Sequence, residues 1–337
     1  MVSRGRLSGA ALILALAAPR IFASPFTITA TFAGTITSDP NASSIEAAIN
    51  SAIATYEGLF VNPINVNIEF TELNGGLGQS SKQLMRFNYS NFYSAYAANA
   101  ASNNDPAASA ALAAGVVPNE ADNPLAGLSG VTDRSDIAVS TVDARALGLC
   151  SSVCVNAAGG YDGYINLNTN ITSPGSAGSS LQYYLVPVVE HEIDEVLGLG
   201  SALDSNFQSS AEPEDLFRYD SSGNRSYTTN PAGQSFFTLN RTNDLAQFDN
   251  QADGGDWGDW RSNPLPNMVS PQVQDAFATP GADPSLGVEI TALEAIGYDV
   301  APGAEEPLLN PTPEPGTIAL FGIALVGFGA QAWRRRT

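Results

Sequence analysis

Histidine is almost absent: the 337-residue chain has one, His191. No site here can rest on several imidazoles, so a metal centre would have to draw on oxygen donors as well. Cysteine is limited to two residues, which excludes a four-thiolate centre and a disulfide-dense scaffold. Basic residues are scarce too. Lys and Arg number 14 against 34 Asp and Glu, giving a formal charge of -20 and a pI near 4.1. Attraction to phosphate backbones is disfavoured, and nucleic acid is not an expected partner. Charged residues make up only 14% while apolar ones reach 44%, enough to build a sizeable core. Abundant Ser, Thr, Asn and Gly suit a secreted surface protein better than a cytosolic enzyme.

The two ends read as addresses. "MVSRGRLSGAALILALAAPRIFAS" begins with Arg4 and Arg6, continues in a short apolar run and ends in small residues. That pattern predicts a signal peptide over residues 1–23, too short in its apolar part to span a membrane. At the other end Pro313-Glu314-Pro315 precedes an uncharged apolar stretch, 316–333, closed by Arg334, Arg335 and Arg336. A transmembrane segment with a positive stop is the physical reading. The order of these parts closely resembles the PEP-CTERM sorting signal of Gram-negative bacteria, here 313–337. The resemblance implies processing by an exosortase, an inner-membrane intermediate, and delivery to the cell surface or medium, while the N-terminal pattern implies signal peptidase as a further partner in export. In an exported chain Cys150 and Cys154, in "CSSVC", are expected to close a small disulfide loop.

Between these ends, residues 25–300 are read as one domain and 301–312 as a linker. "FTITATFAGTITS" alternates as a strand or a hairpin and "INVNIEF" as a strand, and "NASSIEAAINSAIATYEGLF" and "NYSNFYSAYAANAAS" have helical spacing. "NGGLGQSS" reads as a glycine-rich loop, and residues 102–129 as an Ala/Asn/Pro-rich loop. "DIAVSTVDARALGL" and "YDGYINLNT" read as further strands. "SLQYYLVPVVEHEIDEVLGLGS" then turns helical, with Val189, Ile193 and Val196 on one stripe. Past Ser201 the chain is loop-rich until "LGVEITALEAIGYDV" restores helical period, stopped by Gly297. The expected class is α+β, a twisted mixed sheet carrying a packed helix, with a loop-rich C-terminal subdomain.

That helix carries the chemistry. His191 and Glu195 are four apart, so an imidazole and a carboxylate can face one ion, while Glu192 projects about 100° round the axis. The spelling is that of a zinc-protease H-E-x-x-H helix with Glu in place of the second His. A carboxylate ligand removes one charge from the complex, makes a bound water less acidic and favours harder ions such as Mn²⁺ or Ca²⁺ somewhat more. Of the neighbouring acids, Glu190 and Asp194 can face solvent, whereas unpaired Glu192 and Glu195 near the apolar stripe would be costly without a cation.

"HEIDEVLGLGS" further resembles the metzincin signature, with His191, Glu192, Glu195, Gly198 and Ser201 at its five positions. Together with "DLFRYD", "NDLAQFDNQADGGDWGDW", "VQDAF" and "ALEAIGYD", it is similar to a family of zincin-like metalloproteases from PEP-CTERM bacteria that spell the site HExxE. The resemblance covers nearly all of residues 26–300. It implies a zincin or metzincin-like fold, a Zn²⁺ held by His191 and Glu195, and Glu192 as general base toward a metal-bound water in peptide hydrolysis. Ser201 is a poor ligand, so the third is sought among Asp204, Asp215 and Tyr219. Asp215 is the chosen candidate, with turn capping as its alternative role. Tyr219 is a candidate oxyanion donor. Met268 is a candidate for a turn beneath the metal. Asp249, Asp253, Asp256 and Asp259 could bind Ca²⁺, though without EF-hand spacing. "DIAVSTVDARA" or "YDGYINLNT" is expected to supply an edge strand for a protein or peptide substrate. The alternative function is a catalytically inactive surface or matrix binding protein on the same scaffold.

Overall fold

Alternation of apolar and polar residues makes a strand of Thr27–Phe32 (β1), which pairs in parallel with Asn65–Glu72 (β2). The computed structural model describes residues 26–304, apart from 104, 122–123, 125–134, 151–153, 155–159, 176–181, 204–209, 229, 231, 250–252, 264 and 266–267. The expected signal peptide (1–23), the end of the linker and the sorting segment with its apolar stretch 316–333 lie outside the described residues. Among the described residues no helix is long and apolar enough to cross a membrane.

A helical turn, Gly34–Thr37 (α1), follows β1 where the alternation of "FTITATFAGTITS" predicts continued strand or hairpin. Ala42–Leu59 (α2) then connects to β2, burying Ile45, Ile49, Ala52, Ile53 and Tyr56 at helical spacing. "NGGLGQSS" is only half loop: Gly78–Lys82 is a strand (β3), hidden from sequence reading because it lacks β-branched and aromatic residues. Leu84–Asn88 (β4) leads into the helix Tyr89–Asn103 (α3). The Ala/Asn/Pro-rich region is helical over Pro106–Ala113 (α4), started by Asp105, which accepts the Ala108 N–H, with Pro106 in the first turn. "DIAVSTVDARA" divides into the strand Asp136–Ser140 (β5), antiparallel to β4, and the short helix Thr141–Ala146 (α5) capped by Ser140.

Gly163–Leu167 (β6) completes the main sheet, whose order is β1-β2-β6-β3. Its first three strands are parallel and β3 runs antiparallel to β6. "YDGYINLNT" is therefore an interior strand, and β3 holds the edge expected of it. Thr172–Ser173 (β7) pairs with Tyr183–Tyr184 (β8) just before the helix Leu185–Leu197 (α6). Beyond α6 come the 3-10 turn Pro213–Phe217 and a small antiparallel sheet of Arg218–Tyr219 (β9), Phe236–Phe237 (β10) and Ala246–Gln247 (β11). Val288–Ile296 (α7) ends at Gly297, whose φ of 137° suits glycine. The fold is a mixed α+β arrangement, and one apolar cluster draws on residues from Phe26 to Tyr298. Cys150 and Cys154 are disulfide-bonded, with Cα atoms 6.0 Å apart.

Candidate metal centre

Helix α6 lies against β3, β6 and α2, and two glycines let it lie close. A Cβ on Gly163 would stand 2.5 Å from Val196 Cγ2, and one on Gly78 would stand 2.1 Å from Glu192 Oε1. On the α2 side the Tyr56 hydroxyl is 2.7 Å from both the Glu190 carbonyl and Asp194 Oδ1. One proton cannot serve two acceptors fully. The pair closes if Tyr56 donates to the carbonyl and a protonated Asp194 donates to Tyr56. Burial pushes Asp194 well above the usual carboxylate range and Glu190 up to about 7, which makes that arrangement consistent.

Neither of these acids faces solvent, contrary to the expectation from the sequence: Asp194 is fully buried and Glu190 nearly so. The helix is enclosed on most sides, so after Val186 only His191 and Glu195 keep partial exposure. They open into a cleft of about 720 Å³, whose lining includes Gly75–Ser80, Asp256, Asp259 and residues 271–273 and 275–279.

His191, Glu195 and Asp259 converge there. His191 Nε2 is 3.9 Å from Glu195 Oε1 and 3.8 Å from Asp259 Oδ1. Those separations are too long for hydrogen bonds. They match two ligands bound to one ion at about 2.0–2.2 Å each, which lie roughly 3.3–4.4 Å apart. Each of the three side chains is also oriented from behind. His191 Nδ1 lies 3.0 Å from the Val273 carbonyl, which only accepts, so Nδ1 carries the proton and Nε2 turns to the cluster. Ser80 Oγ donates to Glu195 Oε2 at 2.7 Å, and Gln274 Nε2 donates to Asp259 Oδ1 at 2.9 Å.

The electrostatics ask for a cation. Burial alone would lower the His191 pKa, but Asp259, Glu195 and Glu192 outweigh it and push it up to about 10. Burial raises Asp259 to about 8 and holds Glu192 well above its ordinary value, with Glu195 adding to the latter. A divalent ion held among these groups would offset the same repulsion and lower these carboxyl pKa values. Glu192 Oε2 is buried without a hydrogen-bond partner, beside the cluster rather than within it.

Asp215, the candidate third ligand, is not in this cluster, and Asp259 stands beside His191 and Glu195 instead. Both Asp215 oxygens are engaged: Oδ1 accepts from Ser201 Oγ at 2.5 Å, and Oδ2 accepts from the Ala202 and Glu212 N–H groups at 2.9 and 3.0 Å. It is a buried turn cap, and it explains Ser201 as its hydrogen-bond donor. Tyr219 is also elsewhere. It is buried in β9 with the Arg225 and Arg241 guanidinium groups over its ring, and it does not line the cleft. Asp204 lies outside the described residues. Met268 does not line the cleft; the contact to His191 comes from Val273. Nor do the loop aspartates form a cation cluster of their own among the described residues; Asp259 instead joins His191 and Glu195. Asp259 stands in a block singled out in the sequence, but no spacing rule ties it to a helix so far upstream.

Compared with known proteins, residues 311–336 match the PEP-CTERM protein-sorting motif. No curated protein matches the chain, and no solved structure does. The chain thus carries the signal that an exosortase recognises during export and that marks proteins bound for the surface of Gram-negative bacteria.

Proposed function

We propose that this is an exported, zincin-like metal-dependent hydrolase that cleaves peptide bonds. The observation that carries the reading is the convergence of His191, Glu195 and Asp259 in an open cleft, beside a buried Glu192 whose Oε2 has no hydrogen-bond partner. The donor set of one imidazole and two carboxylates fits zinc, the expected ion, and tolerates harder ions. A bound divalent ion supplies Lewis acidity, polarising a carbonyl and lowering the pKa of water.

The chain's own residues do the rest. Glu192 takes a proton from the attacking water and passes it to the leaving amine. Strand β3 holds the substrate. The Asn168 N–H bonds the Leu77 carbonyl and the Gln83 N–H bonds the Asp162 carbonyl, so the hydrogen-bonded pairs fall on the odd-numbered residues of β3. Gly78, Ser80 and Lys82 turn their backbone groups away from β6 at the free edge, where an extended peptide can add as a strand. Phe277, 47% exposed, and the two tyrosines of β8 offer apolar contacts in the same cleft.

Metal analysis and hydrolysis of an unfolded protein such as casein test this together. Wild type should carry roughly one zinc per chain, lost in His191→Ala and Asp259→Ala. Glu192→Gln should keep the metal and lose hydrolysis. Absence of metal from wild type, or its persistence in His191→Ala, overturns the site. Hydrolysis by Glu192→Gln equal to wild type overturns the base, and if wild type hydrolyses nothing the non-catalytic surface protein is left.

A further inference from the structure

The residue that builds the third ligand position is neither on α6 nor in the loop that bears Asp259. Glu289, in the first turn of α7, is completely buried. Its Oε1 accepts the Trp260 indole Nε1–H at 3.1 Å and the Gln274 backbone N–H at 3.0 Å, and its Oε2 accepts the Gly287 N–H at 2.7 Å. The two residues it grips on the cleft side each follow a member of the site. Trp260 follows Asp259; Gln274 follows Val273, whose carbonyl faces His191 Nδ1. The gripped segments are also tied to each other, by the Trp260 N–H to the Gln274 carbonyl at 2.8 Å and by the Gln274 side chain to Asp259 Oδ1.

We infer that Glu289 is a positioning residue for the metal centre: through Trp260 and Gln274 it sets where Asp259 and the Val273 carbonyl stand relative to His191. This rests on reading His191, Glu195 and Asp259 as metal ligands. A carboxylate suits the role because both its oxygens accept, whereas an amide would turn an NH₂ toward one of the three donors. Removal of such outer partners costs 10–100-fold in metal affinity at other sites.

The test uses Glu289→Gln and Trp260→Phe, the second keeping an aromatic ring against Phe237 and Phe248 while deleting the donor. Tyr96→Phe is the structural control. It loses a buried hydrogen bond from the Tyr96 hydroxyl to Ala295 at the far end of the same helix. Zinc affinity, measured by competition with a chromophoric chelator, should fall about 10–100-fold in the two variants and stay at the wild-type value in the control. A second readout needs no metal. With one histidine in the chain, the imidazole Nδ1–H gives a single NMR signal, downfield and protected while it is held on Val273. That signal should broaden or vanish in Glu289→Gln and Trp260→Phe. Unchanged affinity and an unchanged imidazole signal in folded variants would overturn the inference. If wild type binds no zinc, the metal reading fails, and the imidazole signal alone still decides whether Glu289 positions His191.

Discussion

Gly78→Ala is the most demanding test of the arrangement around Glu192. The added Cβ would lie 2.1 Å from Glu192 Oε1 and 2.8 Å from its Cδ. A carbon and an oxygen not bonded to each other sit no closer than roughly 3.2 Å, so the carboxylate must retreat by about 1 Å. Gly78 has no left-handed backbone, so Ala meets no conformational penalty there. The side chain that must move is flexible, and overpacking of this kind costs at most about 1–3 kcal/mol. The chain should still fold and retain its metal, since none of the three ligands is touched. A 1 Å displacement of a reacting group costs about 100-fold in rate. The assay pairs initial rates of casein hydrolysis with metal content and thermal melting. Gly58→Ala, whose Cβ would meet nothing within 4 Å, is the reference. Wild-type rates from a folded, metal-loaded Gly78→Ala protein would refute Glu192 as the group that handles the proton.

Two further outcomes follow from buried carboxylates outside the cluster. Asp215→Ala should keep zinc but lose on the order of 2 kcal/mol in a urea melt, because Ser201 Oγ and the Ala202 and Glu212 N–H groups lose their acceptor. Loss of zinc at unchanged stability would return Asp215 to the ligand set. Stability should fall as pH rises from about 4 to about 7. Burial raises Asp105 to about 7 despite the Ala108 N–H and Glu294, with Asp299 adding to the rise, and raises Asp143 well above its usual value against the pull of Lys82. Acids with raised folded pKa bind protons more tightly when folded, so their contribution is full below the unfolded value and is lost as pH climbs through the folded one. Asp105→Asn keeps a cap for α4 and should flatten this slope in melts between pH 4 and pH 8; an unchanged slope would mean Asp105 is ionised in the folded chain.

The helix and its His191–Glu195 face were legible in the sequence because their information is local. Four-residue spacing puts His191 and Glu195 on one face whatever surrounds them, and Gly198 and Gly297 mark helix ends where positive φ is needed. Strands β2 and β6 were legible from alternation. Strand β3 was not, since Gly-Gln-Ser-Ser-Lys has no apolar period and is a strand only because β6 offers it partners. The fate of Glu190 and Asp194 was misjudged for a related reason: charge predicts exposure, and only the packing of α2 across α6 reveals the tyrosine that receives Asp194.

The sequence by itself determined the C-terminal sorting signal, the α+β class, and an imidazole and two carboxylates on one helix. The tertiary structure alone decided the third partner. Asp215 is close in sequence to the helix and was the natural choice, yet Ser201, Ala202 and Glu212 engage both its oxygens. Asp259 comes from a loop that has no spacing relation to α6 and reaches His191 because Trp260 and Gln274 are gripped by Glu289. Contacts between residues far apart in the chain depend on how elements stack, and a linear pattern carries no term for that.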